Sequence, residues 1–489
     1  MQSKKIFPLL FVVLAVAVLA GCGGSNTLAG RSVGSFTNAS LSGNYAFTLS
    51  GTNGGGVFAA AGTFQANGNG AIISGTEDIN SPGTVGVLLN QPLTGTYAVR
   101  PDGRGTATLT SGSTTFNLDF VLINTSTGLT IRFQNTGTAS GTLDLQNSSA
   151  FNLPALNGSF AFTVSGADNL AKPDAVAALI ALDTSGDITS GVVDENDNGI
   201  ITLANTVTAT AAALSTPVNS RSTFTVPTAS LGTLHFAVYI VDANHLKLVE
   251  TDPGFPLAGE AFRQSATAVS GSFAFTSAGA GLAGGNGAFV SGGILNTDGA
   301  GNILGTSVVD VDNGGAVVAN ALTTGTYTVI VTTTGGRGTL TIAGAGGLHF
   351  VFYPSTGGLL LLGTDTNSVS TGTAFQQTGT PFSTPSINGA FGLNFSGANS
   401  GGEVDAIAQF TANGSGSLTG ALDLNSGGVL SANLALTGTY SAGANGRGTA
   451  TLNSAAGPVN IVFFMASTSR VVFIESDPFQ VSSGIFLHQ

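Results

Sequence analysis

The chain has no tryptophan, one cysteine and two methionines in 489 residues, and only 8% of it is charged. A single cysteine excludes a disulfide within the chain. Stability in an oxidising compartment must then come from apolar cores and strand ladders. The 13 Lys and Arg are outnumbered by 25 Asp and Glu, for a net charge of −12. Such a chain cannot present a basic stripe, which argues against a nucleic-acid partner. Beyond the N-terminus there is no apolar run of about 20 residues, so no later transmembrane helix is expected. Helical periodicity is nearly absent. No Gly-x-Ser-x-Gly elbow sits between a strand and a helix, and no His-Glu-x-x-His occurs. The four histidines, His235, His245, His349 and His488, read as face or core residues; His235 and His349 recur in matching LHF strands. The expectation is a protein that is not an enzyme, has no catalytic residues and needs no cofactor.

What the chain has in excess is glycine, 72 residues, with 42% hydrophobic residues. The glycines punctuate a repeat. Four segments open alike, LSGNYAFTLSG at Leu41, LNGSFAFTVSG at Leu156, VSGSFAFTSAG at Val269 and INGAFGLNFSG at Ile387. Each copy closes on Gly-x4-Gln: Gly141 to Gln146, Gly259 to Gln264, Gly372 to Gln377 and Gly484 to Gln489. The modules thus run over 41–146, 156–264, 269–377 and 387–489. Segments 147–155 and 378–386, with their Pro and Ser, read as linkers. A unit of this size can bury a core alone, which predicts beads on a string.

Inside each module short Val, Thr, Ile and Phe runs alternate with Gly or Asn-Gly turns every 8–12 residues, an all-β signature. Tyr45, Phe47 and Leu49 alternate with Ala46, Thr48 and Ser50, as in a half-buried strand. Consecutive hairpins predict an antiparallel up-and-down β-barrel of about eight strands per module, since closure removes edges. An immunoglobulin-like sandwich is the alternative. The barrel looks like the calycin architecture, although a chain without Trp lacks the Gly-x-Trp signature of lipocalins. The second module departs from the rest: it has no Gly-Thr-Tyr element and carries more acid.

The N-terminus has its own logic. Lys4 and Lys5 precede an apolar stretch from Ile6 to Ala20, and Leu19-Ala20-Gly21-Cys22 ends it. This is the layout of a signal peptide over 1–21. It resembles the lipobox of bacterial lipoproteins, which implies a diacylglycerol on Cys22, cleavage before it, and a membrane partner through the lipidated N-terminus. Loss of residues 1–21 removes both lysines and no acid, taking the charge to −14. With Gly23 following, the resemblance implies the outer membrane, at its periplasmic face or the cell surface. Residues 22–40 read as a lipidated, flexible tether.

Two ionisable positions recur in every module. The acids are Asp78, Asp194, Asp310 and Asp423, each followed two residues later by Asn80, Asn196, Asp312 or Asn425. The bases are Arg104, Arg221, Arg337 and Arg447. A structural role, with Asp capping backbone N–H groups and Arg covering a barrel end or pairing with Asp, is preferred over a repeated ligand site for an anionic group or a cation. Asp194, Asn196 and Asn198 match the start of a calcium loop, but position twelve is Asn205 and no helix flanks it, so no metal is expected. The acidic pairs Glu250/Asp252 and Glu475/Asp477 read as a solvated rim. Thirty-one Phe suit either a packed barrel or a lined cavity. The function these features imply is non-catalytic: binding, adhesion or envelope structure, toward an unknown protein, glycan or small molecule. A carrier of small apolar ligands is the alternative.

Overall fold

The computed structural model describes residues 35–489, apart from 135–136, 266–268, 283–286 and 333–334. Cys22 and segment 1–21 lie outside the described residues. The architecture is all-β, with no α-helix among the described residues. In the first module β1 (Ser42–Asn53), β2 (Gly56–Asn67), β3 (Ala71–Ser81), β4 (Gly86–Val99), β5 (Arg104–Ser111), β6 (Thr114–Leu122), β7 (Thr127–Gln134) and β8 (Gly137–Leu145) follow in order. Every neighbour pair is antiparallel, and β1 pairs with both β2 and β8, so the sheet closes into a barrel. The third and fourth modules close in the same way.

Local chemistry fixes the turns. At Asn67-Gly68 the Asn67 Oδ1 accepts the N–H groups of Asn69 and Ala71, and Gly68 takes φ +76°. Only a residue without Cβ adopts that conformation at no steric cost. The closing Gly141 has a different reason: a Cβ there would sit 1.8 Å from the Thr48 carbonyl oxygen.

The second module corrects the expectation of four equal barrels. Its strands β9 (Gly158–Ala167), β10 (Pro173–Leu182), β11 (Ile188–Asp197), β12 (Ile200–Thr206), β13 (Arg221–Pro227), β14 (Thr233–Asp242), β15 (His245–Glu250) and β16 (Ala258–Arg263) form an open eight-stranded sheet, with β12 and β13 at its edges. In the first module, 14-residue β4 is long enough to pair with β3 and then β5. Here β12 has only seven residues, and the chain that should continue it, 207–220, contributes isolated bridges. Pro217 and the left-handed Ala212, Asn219 and Ser220 interrupt that stretch, and each breaks ladder geometry.

Apolar side chains pack the module interiors, and the first keeps a cavity at one end. In the first, Tyr45, Phe47, Phe64, Phe116 and Phe120 share one buried cluster, and the other three modules have their own. The linkers finish these cores. Residues 147–155 form two 3-10 turns whose Ala150 and Phe151 pack into the second module. Phe382 of the other linker enters the fourth. Residues 36–40 of the expected tether are docked too: Phe36 packs on the first core, and Val99 N–H donates to Asn38 Oδ1.

Nor do the modules hang as beads. The described residues from 35 to 489 belong to one compact unit. Ala46, Ala59 and Ala61 of the first module pack against Ala237, Tyr239 and Val249 of the second. Equivalent faces join second to third, third to fourth and first to fourth. Runs such as Ala175–Leu182 are buried on both faces of the sheet, as their lack of polar alternation required.

Candidate functional site

The recurring ionisable residues meet at these joints. Arg221 of the second module donates to Asp78 of the first, Nε to Oδ2 at 2.7 Å and Nη2 to Oδ1 at 2.8 Å. Arg337 holds Asp194 at 2.7 and 2.5 Å, and Arg447 holds Asp310 at 2.8 and 2.6 Å. Arg104 of the first module reaches Asp423 of the fourth, and the cycle is complete. Each pair therefore joins two modules, and none is internal to one.

The acid has a second partner, which explains its place in the sequence. Each Asp lies at a bulge, such as the register shift between Glu77 and Ile79 against β4. Its Oδ1 accepts the N–H of a left-handed residue on the next strand: Asn90 for Asp78, Ala204 for Asp194, Asn320 for Asp310 and Asn433 for Asp423. Tyr239 and Tyr353 add hydroxyl donors to Asp78 and Asp194. Hydrogen bonding to Asp78 holds the Arg221 guanidinium above its usual range, against its burial. Burial pushes the Tyr239 phenol well up, and the Asp78 charge adds to it.

Two further repeats lock in the same direction. Asn80 Nδ2 donates to the carbonyls of Glu250, Asp252 and Phe255, and Asn196 Nδ2 to those of Gly363, Asp365 and Ser368. Asn425 reaches Gly137 O. The closing glutamines clip each module to the next: Gln146 to Ile240 O, Gln264 to Gly336 O, Gln377 to Met465 O. Gln489 completes the circuit by donating to Leu122 O of the first module at 2.7 Å.

The loop Asp194, Asn196, Asn198 does not converge on an ion. Arg337, Tyr353 and Ala204 N–H take the Asp194 oxygens, and Asn196 Oδ1 accepts from Gly199 N–H. A set with metal-ligand character exists elsewhere, at Asp144, His245 and Glu260. The fully buried Lys247 ammonium sits among its carboxylates, 2.8 Å from Asp144 Oδ2 and 2.6 Å from Glu260 Oε1. An internal cation thus satisfies this cluster across the first joint.

His235 and His349 are about half exposed and bond Asp252 and Asp365 through Nδ1. Glu250 and Glu475 correct the expectation of a solvated rim, since each is only 2% exposed. Burial raises the Glu475 carboxyl to about 8 and that of Glu250 well above its usual range. Both strands end against a neighbouring barrel, and the sequence shows no sign of that neighbour.

Sequence reasoning also passed over Glu77 and Arg132. They line a cavity of about 350 Å³ at one end of the first barrel, among Phe58, Phe116, Ile79 and Leu88. The Arg132 guanidinium lies 3.9 Å from the Phe116 ring centre and 5.0 Å from that of Phe58. Burial raises the Glu77 carboxyl, with Arg132 pulling the other way. The available signal was a Glu immediately before a recurring Asp, where the other modules have Val193, Val309 and Leu422.

No family model matches the chain. No curated protein matches it either. Among solved structures it is similar to the isotype 1 transferrin binding protein B of serogroup B Neisseria meningitidis, at 10% identity and a TM-score of 0.22 over 73% of this chain and 82% of that one. It is also similar to intact Ap-TbpB with its N and C lobes, at 10% identity and a TM-score of 0.18 over 74% and 83%. At those scores neither likeness bears on fold or function.

Proposed function

We propose that this chain is a lipid-anchored envelope protein that binds or scaffolds without catalysis, presented at the bacterial outer membrane through Cys22. One observation carries the reading: four β modules with packed interiors are locked in a cycle by Arg–Asp, Asn–carbonyl and Gln–carbonyl clasps. Packed barrels leave the outer surface and exposed turns to do the work. A fixed ring sets the spacing of any repeated surface contact, so four weak contacts add through effective concentration without a flexible string. The partner class is a protein or glycan of the envelope or of a neighbouring cell. A carrier role has support in the first module, where a cavity of about 350 Å³ opens beside the packed core.

The anchor is tested by mass spectrometry of the mature N-terminus; Cys22 unmodified and still joined to Gly21 overturns it. The binding role is tested by exposing a Cys22→Ser chain, purified without detergent, to arrays of envelope glycans and surface proteins. Saturable retention lost on unfolding supports the reading, and no retention on any array overturns it.

A further inference from the structure

The cavity in the first barrel has the makings of a ligand site. Glu77 is fully buried, and the Ser111 hydroxyl, also buried, is the side-chain donor beside its carboxyl. Both line the same space. One hydroxyl leaves most of a buried carboxyl's hydrogen-bonding capacity unfilled, which is costly unless something in the cavity completes it. The opposite charge lines the same pocket, where the Arg132 guanidinium lies over the Phe58 and Phe116 rings. Exposed Gly54, Thr84 and Val85 rim the mouth, so the pocket can be entered.

The arrangement belongs to this module alone. Val193, Val309 and Leu422 stand where Glu77 does, and all three are buried in their cores. Strand registers put Arg132 in the place of Glu250, Gly363 and Glu475. Packing of the repeat therefore does not require this pair. About 350 Å³ falls within the range of small-molecule pockets. One acid, one base and apolar walls complement a molecule with both charges and an apolar body. A purely anionic ligand would face Glu77, and a purely cationic one would face Arg132.

We propose that the first barrel binds a small zwitterion, an amino acid with an apolar side chain, whose ammonium meets Glu77, whose carboxylate meets Arg132, and whose side chain lies against Phe58 and Phe116. This assigns a ligand class that the envelope role does not require, and it stands or falls separately.

The test is calorimetric titration of the full chain carrying Cys22→Ser with L-phenylalanine, 3-phenylpropionate and 2-phenylethylamine. The expected result is that phenylalanine binds and each one-ended analogue is weaker by about tenfold or more, the worth of a lost charge-assisted hydrogen bond. Glu77→Gln should reduce phenylalanine affinity by about the same factor without lowering the melting temperature. Equal affinity for the analogues, no binding of any probe at millimolar concentration, or full affinity in Glu77→Gln overturns the proposal. Should Glu77→Gln fail to fold, Val85→Trp obstructs the mouth from an exposed position; unchanged phenylalanine affinity there overturns it as well.

Discussion

Arg104 and Asp423, 319 positions apart, hold the first module against the fourth, with Nη1 3.4 Å from Oδ2. This is the loosest of four equivalent clasps. Arg104 also gives Nε to Asp102 at 3.0 Å and Nη2 to Asn433 Oδ1 at 2.9 Å. The three joints between consecutive modules have the shorter, two-pronged geometry, which is the stronger form.

The clasps should therefore rank. Arg221→Ala leaves Asp78, whose side chain is 1% exposed, without its cation, and removal of one partner of a buried pair costs about 3–5 kcal/mol. Arg104→Ala should cost less, about 1–3 kcal/mol, because the bonds to Asp423 are longer and shared. Urea unfolding of both variants, followed by far-ultraviolet circular dichroism, gives the comparison; an Arg104 variant that loses more reverses the ranking.

Ala204 presents its N–H to Asp194 from φ +54°, where the other modules have Asn90, Asn320 and Asn433. Asn tolerates the left-handed region better than Ala. Ala204→Asn is expected to stabilise the second module by about 0.5–1 kcal/mol, read as a higher thermal midpoint.

Stability should rise on acidification. Burial lifts Asp174 and Glu475 to about 8, and Asp119, Glu195 and Asp405 to about 7. Unfolded, these carboxyls titrate near 4. Between those values the folded chain retains protons that the unfolded chain releases, so stability is fully present below about pH 4 for these groups and is lost as pH rises to about 8. Melting scans at pH 5.5 and 8.5 should give the higher midpoint at pH 5.5; the reverse order would falsify the assignment.

Lys247→Met should weaken the joint between the first and second modules. The substitution leaves the Asp144 and Glu260 carboxylates facing each other with no ammonium between them, a loss of about 3–5 kcal/mol. Adding Glu260→Gln removes one of the charges and should recover part of that loss. A double variant no more stable than the single one counts against Lys247 as the internal cation.

Hydrogen exchange should find the seam of the second module. Amides of 207–220, which have isolated bridges, are expected to exchange sooner than those of the matching long strand at 86–99. Equal protection of the two segments would mean that the sheet closes in solution.

Much of this was legible in the chain. Alternation at Tyr45, Phe47 and Leu49 and the Asn-Gly turns specified strands and hairpins, because side-chain period and turn conformation are local properties. The odd second module was visible in its missing Gly-Thr-Tyr strand. The recurrence of Asp78 and Arg104 equivalents, and of the closing Gln, was visible as well. Their partners were not: Asp78 is matched by Arg221, and Gln489 by Leu122 O, across joints that no spacing encodes. Glu250 looked like a rim residue for the same reason.

The sequence alone determined the unit, eight strands punctuated by glycine and repeated four times, since propensity, period and turn chemistry act over a few residues. Only the tertiary structure decided that the units form a cycle and that one is open. It also decided that a lone Glu and Arg share a cavity in the first. Those outcomes depend on which faces meet in space, where burial and the pairing of distant charges set the energy.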